Sequence, residues 1–258
     1  MKKYLFSLIF IFSMFFSVNV YAYNIDILKA EGIVVGDEGG YREDDTVTRG
    51  EFIKMINRTF SVPSDLSYKA LPDVSDTAWY FSDILSAVNY GYVKGDEKGN
   101  INPESNITRQ EAISIAARLT GYKDTLITSY TDDGYIASWA KGPASTLLDL
   151  GFIPESDMFR PEDLMTRKEC FDLFYNIFKN RFSSGDGSKL SPYVITYPWQ
   201  LANIRLFPDK AFTINSDLDF KLYNLSYIPV DKFSGTLSGN GHKIIRLFIT
   251  NMMLKHVL

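Results

Sequence analysis

One short motif occurs three times in this chain at nearly constant spacing, and it constrains the fold more than any other feature. The copies occupy residues 47–51, 107–111 and 165–169, so they are 60 and 58 residues apart. Each copy has Thr-x-x-Glu, which is the pattern of a capping box at a helix N-terminus. The sequence therefore predicts three related helices that begin after Thr48, Thr108 and Thr166.

Apolar residues follow each motif in the same phase, at four, five, seven and eight positions after the threonine. They are Phe52, Ile53, Met55 and Ile56, then Ala112, Ile113, Ile115 and Ala116, then Cys170, Phe171, Leu173 and Phe174. This spacing is typical of a helix that is buried on one side. Because Cys170 occupies one of these apolar positions, we interpret it as a core residue and not as a nucleophile.

A second amphipathic helix is predicted upstream of the motif. Trp79 and Trp139 each precede a glycine, Gly91 and Gly151, by twelve residues. With Gly32 of the first unit, these glycines suit the left-handed position that ends a helix. Each unit thus contains a helix, a glycine-rich loop and a capped helix. Since so small a unit cannot bury its own core, the three units must pack on one another.

The N-terminal 22 residues have the features of a secretory signal peptide. Lys2 and Lys3 precede an apolar run over residues 4–16, and small residues stand at Val20 and Ala22. The apolar run is shorter than the ~20 residues that a membrane-spanning helix needs. We therefore expect cleavage after Ala22, export of the mature chain, and no transmembrane segment in the product.

Composition excludes several classes of function. The chain has 27 basic and 31 acidic side chains and a net charge of −4, and loss of two lysines with the signal would leave 25 basic side chains. An acidic protein of this kind is not expected to bind nucleic acid. One cysteine and two histidines provide no disulfide framework or cysteine-rich zinc site, so we expect no metal and no cofactor.

The order of residues in the units resembles the S-layer homology repeat. The resemblance rests on Asp73, Trp79, the segment 91–95, Pro103 and the motif 107–111. It implies three tandem repeats, at residues 23–62 (shortened), 63–124 and 125–182, that form a mainly α, pseudo-threefold bundle. It also implies a secreted protein held on the cell wall of a Gram-positive-type bacterium through a secondary cell-wall polysaccharide that bears acidic pyruvyl ketal groups.

Three arginines in register are the leading candidates for ligand contact. Arg49, Arg109 and Arg167 each occupy the first helical position, where the helix dipole disfavours a cation unless an anion is near. A helix N-terminus with free amides and a guanidinium can hold a carboxylate. The resemblance likewise associates this arginine with the pyruvylated sugar. Alternatively, each arginine pairs with an acid of a neighbouring unit, such as Asp73 or Asp132, and fastens the bundle.

The other candidate residues follow from the same pattern. Trp79 and Trp139 are candidates for stacking on a sugar ring, although a tryptophan at helical spacing is more often part of a core. The residues expected at the polymer are the three arginines, Thr48, Thr108, Thr166, Asp73, Asp132 and the two tryptophans. In the first unit the counterparts of Asp73 and Trp79 fall in the signal peptide, so we expect the groove that needs this helix to be incomplete.

The segment after the repeats has a different character. Residues 183–192 have the composition of a flexible linker, and residues 193–258 turn β-like. The succession of short apolar stretches with a Gly-Asn-Gly turn at 239–241 resembles the opening coils of a right-handed parallel β-helix. Because at least three coils are normally needed for a core, we expect this chain to be a truncated product of a longer surface protein.

The sequence favours anchoring to wall polysaccharide over the alternatives. Carboxylates are plentiful, but no pair, nucleophile elbow or P-loop can be placed, and we expect no enzymatic activity. One alternative is a wall-attached lyase or hydrolase that is truncated in its β-helix. Another is a surface-layer protein that self-associates into a lattice.

Overall fold

The computed structural model describes residues 25–36, 40–67, 71–222 and 232–247. The predicted signal peptide, residues 223–231 of the predicted β-like segment and the last residues of the chain lie outside this part. Within it, the helices are α1 (described over residues 25–30), α2 (Arg49–Thr59), α3 (Phe81–Asn89), α4 (Arg109–Thr120), α5 (Ser138–Asp149), α6 (Arg167–Lys179) and the short α7 (Pro198–Leu201).

The first six helices follow one another along the chain as three consecutive pairs, α1–α2, α3–α4 and α5–α6, and all share one core. The main helix contacts join different pairs, because α4 packs against α5, and α2 packs against α3 and α6. All twelve residues of the predicted stripes on α2, α4 and α6 are buried, which confirms the phase read from the sequence. Gly32, Gly91 and Gly151 all have a positive φ, between 68° and 83°, and end the first helix of each pair as expected. The fold of this region is therefore mainly α, and it has three helix-loop-helix units.

A closed ring of backbone hydrogen bonds relates the three units by a pseudo-threefold axis. The N–H of Val47 donates to the carbonyl of Met165, that of Met165 to Ile107, and that of Ile107 back to Val47, each at 3.0 Å. These residues immediately precede the three capping threonines. The ring therefore fixes the N-termini of α2, α4 and α6 side by side.

The described part of the C-terminal region contains five short strands in two parallel sheets. They are β1 (Tyr193–Ile195), β2 (Ala211–Ile214), β3 (Leu218–Asp219), β4 (Thr236–Ser238) and β5 (Ile244–Ile245). One sheet has the order β1-β2-β4, and β3 pairs with β5 in the other. From β2 onward the chain alternates between the two sheets, and Asn240 and Gly241 form the predicted tight turn with positive φ.

Two segments differ from the sequence-based expectation. The first segment is residues 199–204. The sequence predicted that they belong to a series of short strands, but they are helical. Pro198 provides a helix-compatible φ at the first position, and the Gln200 side chain accepts the N–H groups of Thr196 and Tyr197 at 2.8 and 3.1 Å. Local capping therefore decides the conformation here.

The second is residues 183–192, which were expected to form a flexible linker. The N–H of Ser183 donates to Val194 O, and that of Gly187 to Ser191 O, at 2.8 and 3.0 Å. A Cβ on Gly185 would lie 2.0 Å from Pro192 O, so glycine is required where the segment turns closely against β1. These residues belong to the C-terminal unit because their small size permits this close approach.

The C-terminal unit packs against the end of the helical bundle opposite to the ring. Trp199 is 3% exposed and contacts Phe60 and Phe152, with ring centroids 6.0 and 5.8 Å away. Arg205 donates to the carbonyls of Phe60 and Ser61 at 2.7 and 2.9 Å. The bundle core is thus closed by a residue from outside the three units. Among the described residues, no helix has the length and apolar character required to cross a membrane.

Candidate functional site

The three predicted capping boxes are present at the N-termini of α2, α4 and α6. The carboxylates of Glu51, Glu111 and Glu169 accept the N–H groups of Thr48, Thr108 and Thr166 at 2.9, 3.0 and 3.0 Å. The hydroxyls of Thr48 and Thr166 accept the amides of their glutamates, and those of Thr108 and Thr166 donate to the carboxylates of Glu111 and Glu169. The threonines therefore act in helix capping.

The helix N-termini do not offer free amides to an anion, as the sequence had suggested. The N–H groups of Arg49 and Gly50 donate to Ser105 O and Pro103 O at 2.9 and 2.8 Å. The equivalent amides of α4 and α6 donate in the same way to Asp163, Pro161, Asp45 and Glu43. Since a loop of the next unit satisfies these donors, an anion site at this end depends on side chains.

The three arginines form a cycle of ion pairs with the capping glutamates. Arg49 Nη1 lies 3.4 Å from Glu111 Oε1, and Arg167 Nη1 lies 3.5 Å from Glu51 Oε1. Arg109 hydrogen-bonds to Glu169. Each arginine thus reaches the capping glutamate of the next unit. The fastening alternative is observed, but its partners are glutamates that the sequence analysis did not consider.

Asp73 and Asp132 do not pair with the arginines. Asp73 accepts the N–H groups of Ile101 and Asn102 at 2.8 and 2.6 Å, and Asp132 accepts those of Phe159 and Arg160 at 2.8 and 2.7 Å. Asn102 and Arg160 both have φ of 57°, so the aspartates stabilise an unusual backbone turn. Their main role is therefore to hold the loop that precedes each capped helix.

A groove of about 540 Å³ lies beside Arg49, between the first two units, and Trp139 of α5 also lines it. We call it the Arg49 groove. Its charged lining residues are Arg49, Lys94, Asp96, Glu111 and Arg118. Three cations against two carboxylates give the groove a local positive charge on an acidic protein. This charge distribution suits an anionic ligand.

Arg118 is a second guanidinium in the Arg49 groove, and the sequence analysis did not identify it. Its Nη1 donates to Tyr92 O at 3.0 Å. Burial lowers the pKa of Arg118, and the positive charge of Arg49 lowers it further. Arg49 Nε is also buried without a hydrogen-bond partner among the described residues. Two crowded cations with unused donor capacity favour an anion between them.

Trp79 and Trp139 are at the surface and not in the core. Their exposed fractions are 52% and 49%, as expected for equivalent positions near the start of the first helix of their units. Trp139 borders the Arg49 groove directly, while Trp79 carries the Lys54 ammonium 4.9 Å from its ring centroid. An exposed indole beside polar groups is available for stacking on a ligand ring.

The threefold-related positions are not chemically equivalent. The counterparts of Arg118 are Arg58 on α2 and Asn176 on α6. Asn176 Nδ2 donates to Phe152 O at 3.1 Å, which reproduces the Arg118 contact without its charge. The side of the bundle around Arg109 therefore lacks this second arginine, and Arg160 Nη2 lies 3.5 Å from the Glu169 carboxylate that also pairs with Arg109. By repeat spacing, the tryptophan position of this side corresponds to Val20, which lies outside the described residues.

Cys170 and the acidic side chains outside the Arg49 groove have structural surroundings. Cys170 is fully buried, and burial raises the pKa of its thiol, in agreement with its interpretation as a core residue. In the described ranges, no three or more His, Cys, Asp or Glu side chains are grouped so as to hold a metal ion. Lys141, through a 2.6 Å ion pair, and two hydrogen bonds from Thr128 together lower the pKa of Asp133 to about 2. That pair joins the loop of the third unit to α5.

Comparison with known proteins supports the resemblance. The model of the S-layer homology domain matches residues 18–53 and 70–113. The chain is 35% identical over 164 residues to "Exoglucanase XynX" of Acetivibrio thermocellus, which covers 60% of this chain and 15% of that protein. It is 32% identical over 164 residues to "Amylopullulanase" of Thermoanaerobacterium thermosulfurigenes, covering 60% and 9%.

A third relative extends further along the chain. The "S-layer protein" of Bacillus licheniformis is 25% identical over 256 residues, which covers 91% of this chain and 28% of that protein. The chain thus spans under a third of the length of each of these three relatives. The domain match and the surface-layer relatives support a secreted, cell-surface location in a Gram-positive-type bacterium, as the sequence predicted.

Proposed function

We propose that this chain attaches an exported protein non-covalently to the bacterial cell wall by binding an acidic secondary cell-wall polysaccharide in the Arg49 groove. The observation that carries the proposal is the groove itself, in which Arg49, Arg118 and Lys94 stand beside the exposed ring of Trp139. The domain match and the cell-surface relatives support a role in wall attachment.

The acidic group of the ligand is proposed to be a carboxylate such as that of a pyruvyl ketal. A guanidinium binds a carboxylate through two parallel N–H···O bonds, and Arg49 and Arg118 together present more donors than Glu111 and Tyr92 use. The sugar ring that carries the carboxylate would rest on Trp139. A neutral polymer would leave the two guanidinium groups without an added anion.

We further propose that all three units are S-layer homology repeats, with unequal roles. The third unit has the same capping box as the second, the same contact between an aspartate and the loop before the capped helix, and a place in the same backbone ring. Around Arg109, however, Asn176 replaces the second arginine, so the Arg109 side is proposed to fasten the bundle. The proposal contains no catalytic step, and the chain acts by binding.

Co-sedimentation of the mature chain with purified cell walls tests the proposed function. Binding is expected to walls that retain their non-peptidoglycan polymer, and it should fall when that polymer is extracted. Mild acid treatment, which hydrolyses ketals, should also weaken binding if the carboxylate is a pyruvyl group. Undiminished binding to bare peptidoglycan would refute the polymer proposal, and loss on extraction without loss on ketal hydrolysis would refute only the pyruvyl group.

A pair of variants tests the groove. Arg118→Ala is expected to weaken wall binding at least about tenfold, which corresponds to 1.4 kcal/mol of binding free energy. Arg58→Ala is the matched control, because it makes the same change at the equivalent position of the first unit, away from the Arg49 groove. Equal loss of binding in both variants would contradict the assignment of the main site to this groove.

A further inference from the structure

A second cavity lies where the C-terminal unit meets the helical bundle, and it shares no lining residue with the Arg49 groove. It has a volume of about 270 Å³. The bundle contributes the end of α4, the following segment with Tyr122 and Lys123, and Asp149 of α5. The C-terminal unit contributes Tyr197, Trp199 and Asp219, among others. We call it the junction cavity.

Three aromatic side chains contribute to the lining of the junction cavity. Tyr197 is 43% exposed and Tyr122 is half-buried, so both rings are accessible from the cavity side. Trp199 is almost fully buried, and its indole Nε1 has no hydrogen-bond acceptor among the described residues. A pocket with aromatic walls, a few polar groups and an unsatisfied donor has the features of a small-molecule site.

The charges at the junction cavity are balanced, in contrast to those of the Arg49 groove. Lys123 Nζ lies 2.6 Å from Asp149 Oδ2, and Asp219 hydrogen-bonds to Arg246. The lining thus has one cation and two carboxylates, and Arg246, which is outside the lining, neutralises Asp219. Each carboxylate therefore has its own cation, and no unpaired charge faces a ligand. The paired groups still have donors and acceptors to spare, which suits hydroxyl groups because a hydroxyl both donates and accepts.

We propose that the junction cavity binds a neutral sugar ring. The apolar C–H face of the sugar would lie against Tyr122 and Tyr197, and its hydroxyls would exchange hydrogen bonds with Lys123 and Asp149. A hydroxyl oxygen, directly or through a water molecule, would supply the acceptor that Trp199 Nε1 lacks. This site is independent of the proposed wall-polymer site, since it uses other residues and a ligand of different charge.

The three tryptophans of the chain permit a direct test. Each indole N–H gives one resonance in a ¹⁵N–¹H correlation spectrum of the labelled mature chain, and Trp→Phe variants assign the three. Maltose, xylobiose and N,N′-diacetylchitobiose are added separately, each to about 10 mM, since a single small site of this kind binds in the millimolar range. At least one of these sugars is expected to shift the Trp199 resonance and leave those of Trp79 and Trp139 in place.

Two variants make the test specific. Tyr197→Ala is expected to weaken the Trp199 response at least about tenfold. Tyr135→Ala is the control, because Tyr135 is 82% exposed and lies outside the cavity. No shift of the Trp199 resonance with any of the three sugars would overturn the proposal, as would a shift that is unchanged in Tyr197→Ala. Wall-polymer binding is read from the Trp139 resonance, so failure of one site does not imply failure of the other.

Discussion

Replacement of Trp199 by alanine should destabilise the whole protein, because this side chain closes the core of the bundle from outside the three units. Trp199 is 3% exposed and packs on Phe60 of the first unit and Phe152 of the third. Truncation of a buried aromatic residue costs about 3–5 kcal/mol. For a chain of this size, about 2–4 °C of melting temperature is lost per kcal/mol, so Tm should fall by roughly 6–20 °C.

Trp139→Ala provides a matched control, because it removes the same atoms from a side chain that is 49% exposed. Its cost in stability is expected to stay below about 1 kcal/mol, while its wall binding should fall. Trp199→Ala should lose stability but, at temperatures where it remains folded, keep its wall binding. The measurements are differential scanning calorimetry and urea unfolding followed by far-ultraviolet circular dichroism.

Two results would show that Trp199 does not complete the core of the whole protein. If Trp199→Ala and Trp139→Ala lower Tm by the same amount, Trp199 does not complete the core. If the helical signal of Trp199→Ala melts at the wild-type temperature while only the β signal changes, the bundle is stable without the C-terminal unit.

Three further outcomes are expected. Arg49→Ala should lower wall binding more than Arg109→Ala, as measured by co-sedimentation. Arg109→Ala should lower the free energy of unfolding in urea by about 1–2 kcal/mol. Stronger loss of wall binding in Arg109→Ala than in Arg49→Ala would contradict the unequal roles. Burial alone would raise the pKa of Glu169, but hydrogen bonds from Arg109 and the Thr166 amide lower it below its ordinary 4.5. The contribution of Glu169 to the free energy of unfolding is therefore present above pH 4.5 and is lost as pH falls through the lowered pKa. Glu169→Gln, which keeps the cap, should therefore flatten the acid limb of unfolding free energy against pH, and an unchanged slope would exclude this contribution. Cys170 should resist iodoacetamide in the native protein and react fully in urea, as measured by mass spectrometry, and native labelling would show that the core opens.

Much of the bundle could be predicted because its signals are local and occur three times. The capping boxes, the buried stripes and the glycines that end the first helices depend on residues close together in sequence. Agreement among three copies also removes the ambiguity of any single one. The same argument located Arg49, Arg109 and Arg167 at helix N-termini, but it did not indicate what surrounds them.

The partners of these residues could not be predicted, because they depend on how the units are arranged around an axis. Glu111 lies beside Arg49 only because the second unit follows the first at a fixed rotation. Arg118 lies two helical turns after Glu111 on the same face of α4, so it reaches the Arg49 groove for the same reason. Both residues occupy positions that recur in the repeats, but their neighbours follow only from the closed threefold arrangement of the units.

The boundary between the bundle and the C-terminal unit was the least predictable part. Composition suggested a linker at residues 183–192, yet Phe182 stacks on Tyr193 with ring centroids 4.3 Å apart, and Trp199 belongs to the bundle core. Small polar residues can form either a mobile segment or a tight turn, and tertiary contacts decide between them. Binding experiments should therefore use the mature chain and not a fragment that ends at residue 182.

The ring formed by Val47, Ile107 and Met165 limits how further repeat units can be added to the bundle. Each of the three residues gives one backbone donor and receives one, so the ring has no free edge. An open array of repeats can gain a unit at either end, but a closed ring of three can admit a fourth only by breaking an existing hydrogen bond. Additional wall-binding capacity would therefore be added as whole triplets, each with its own axis, and not one unit at a time.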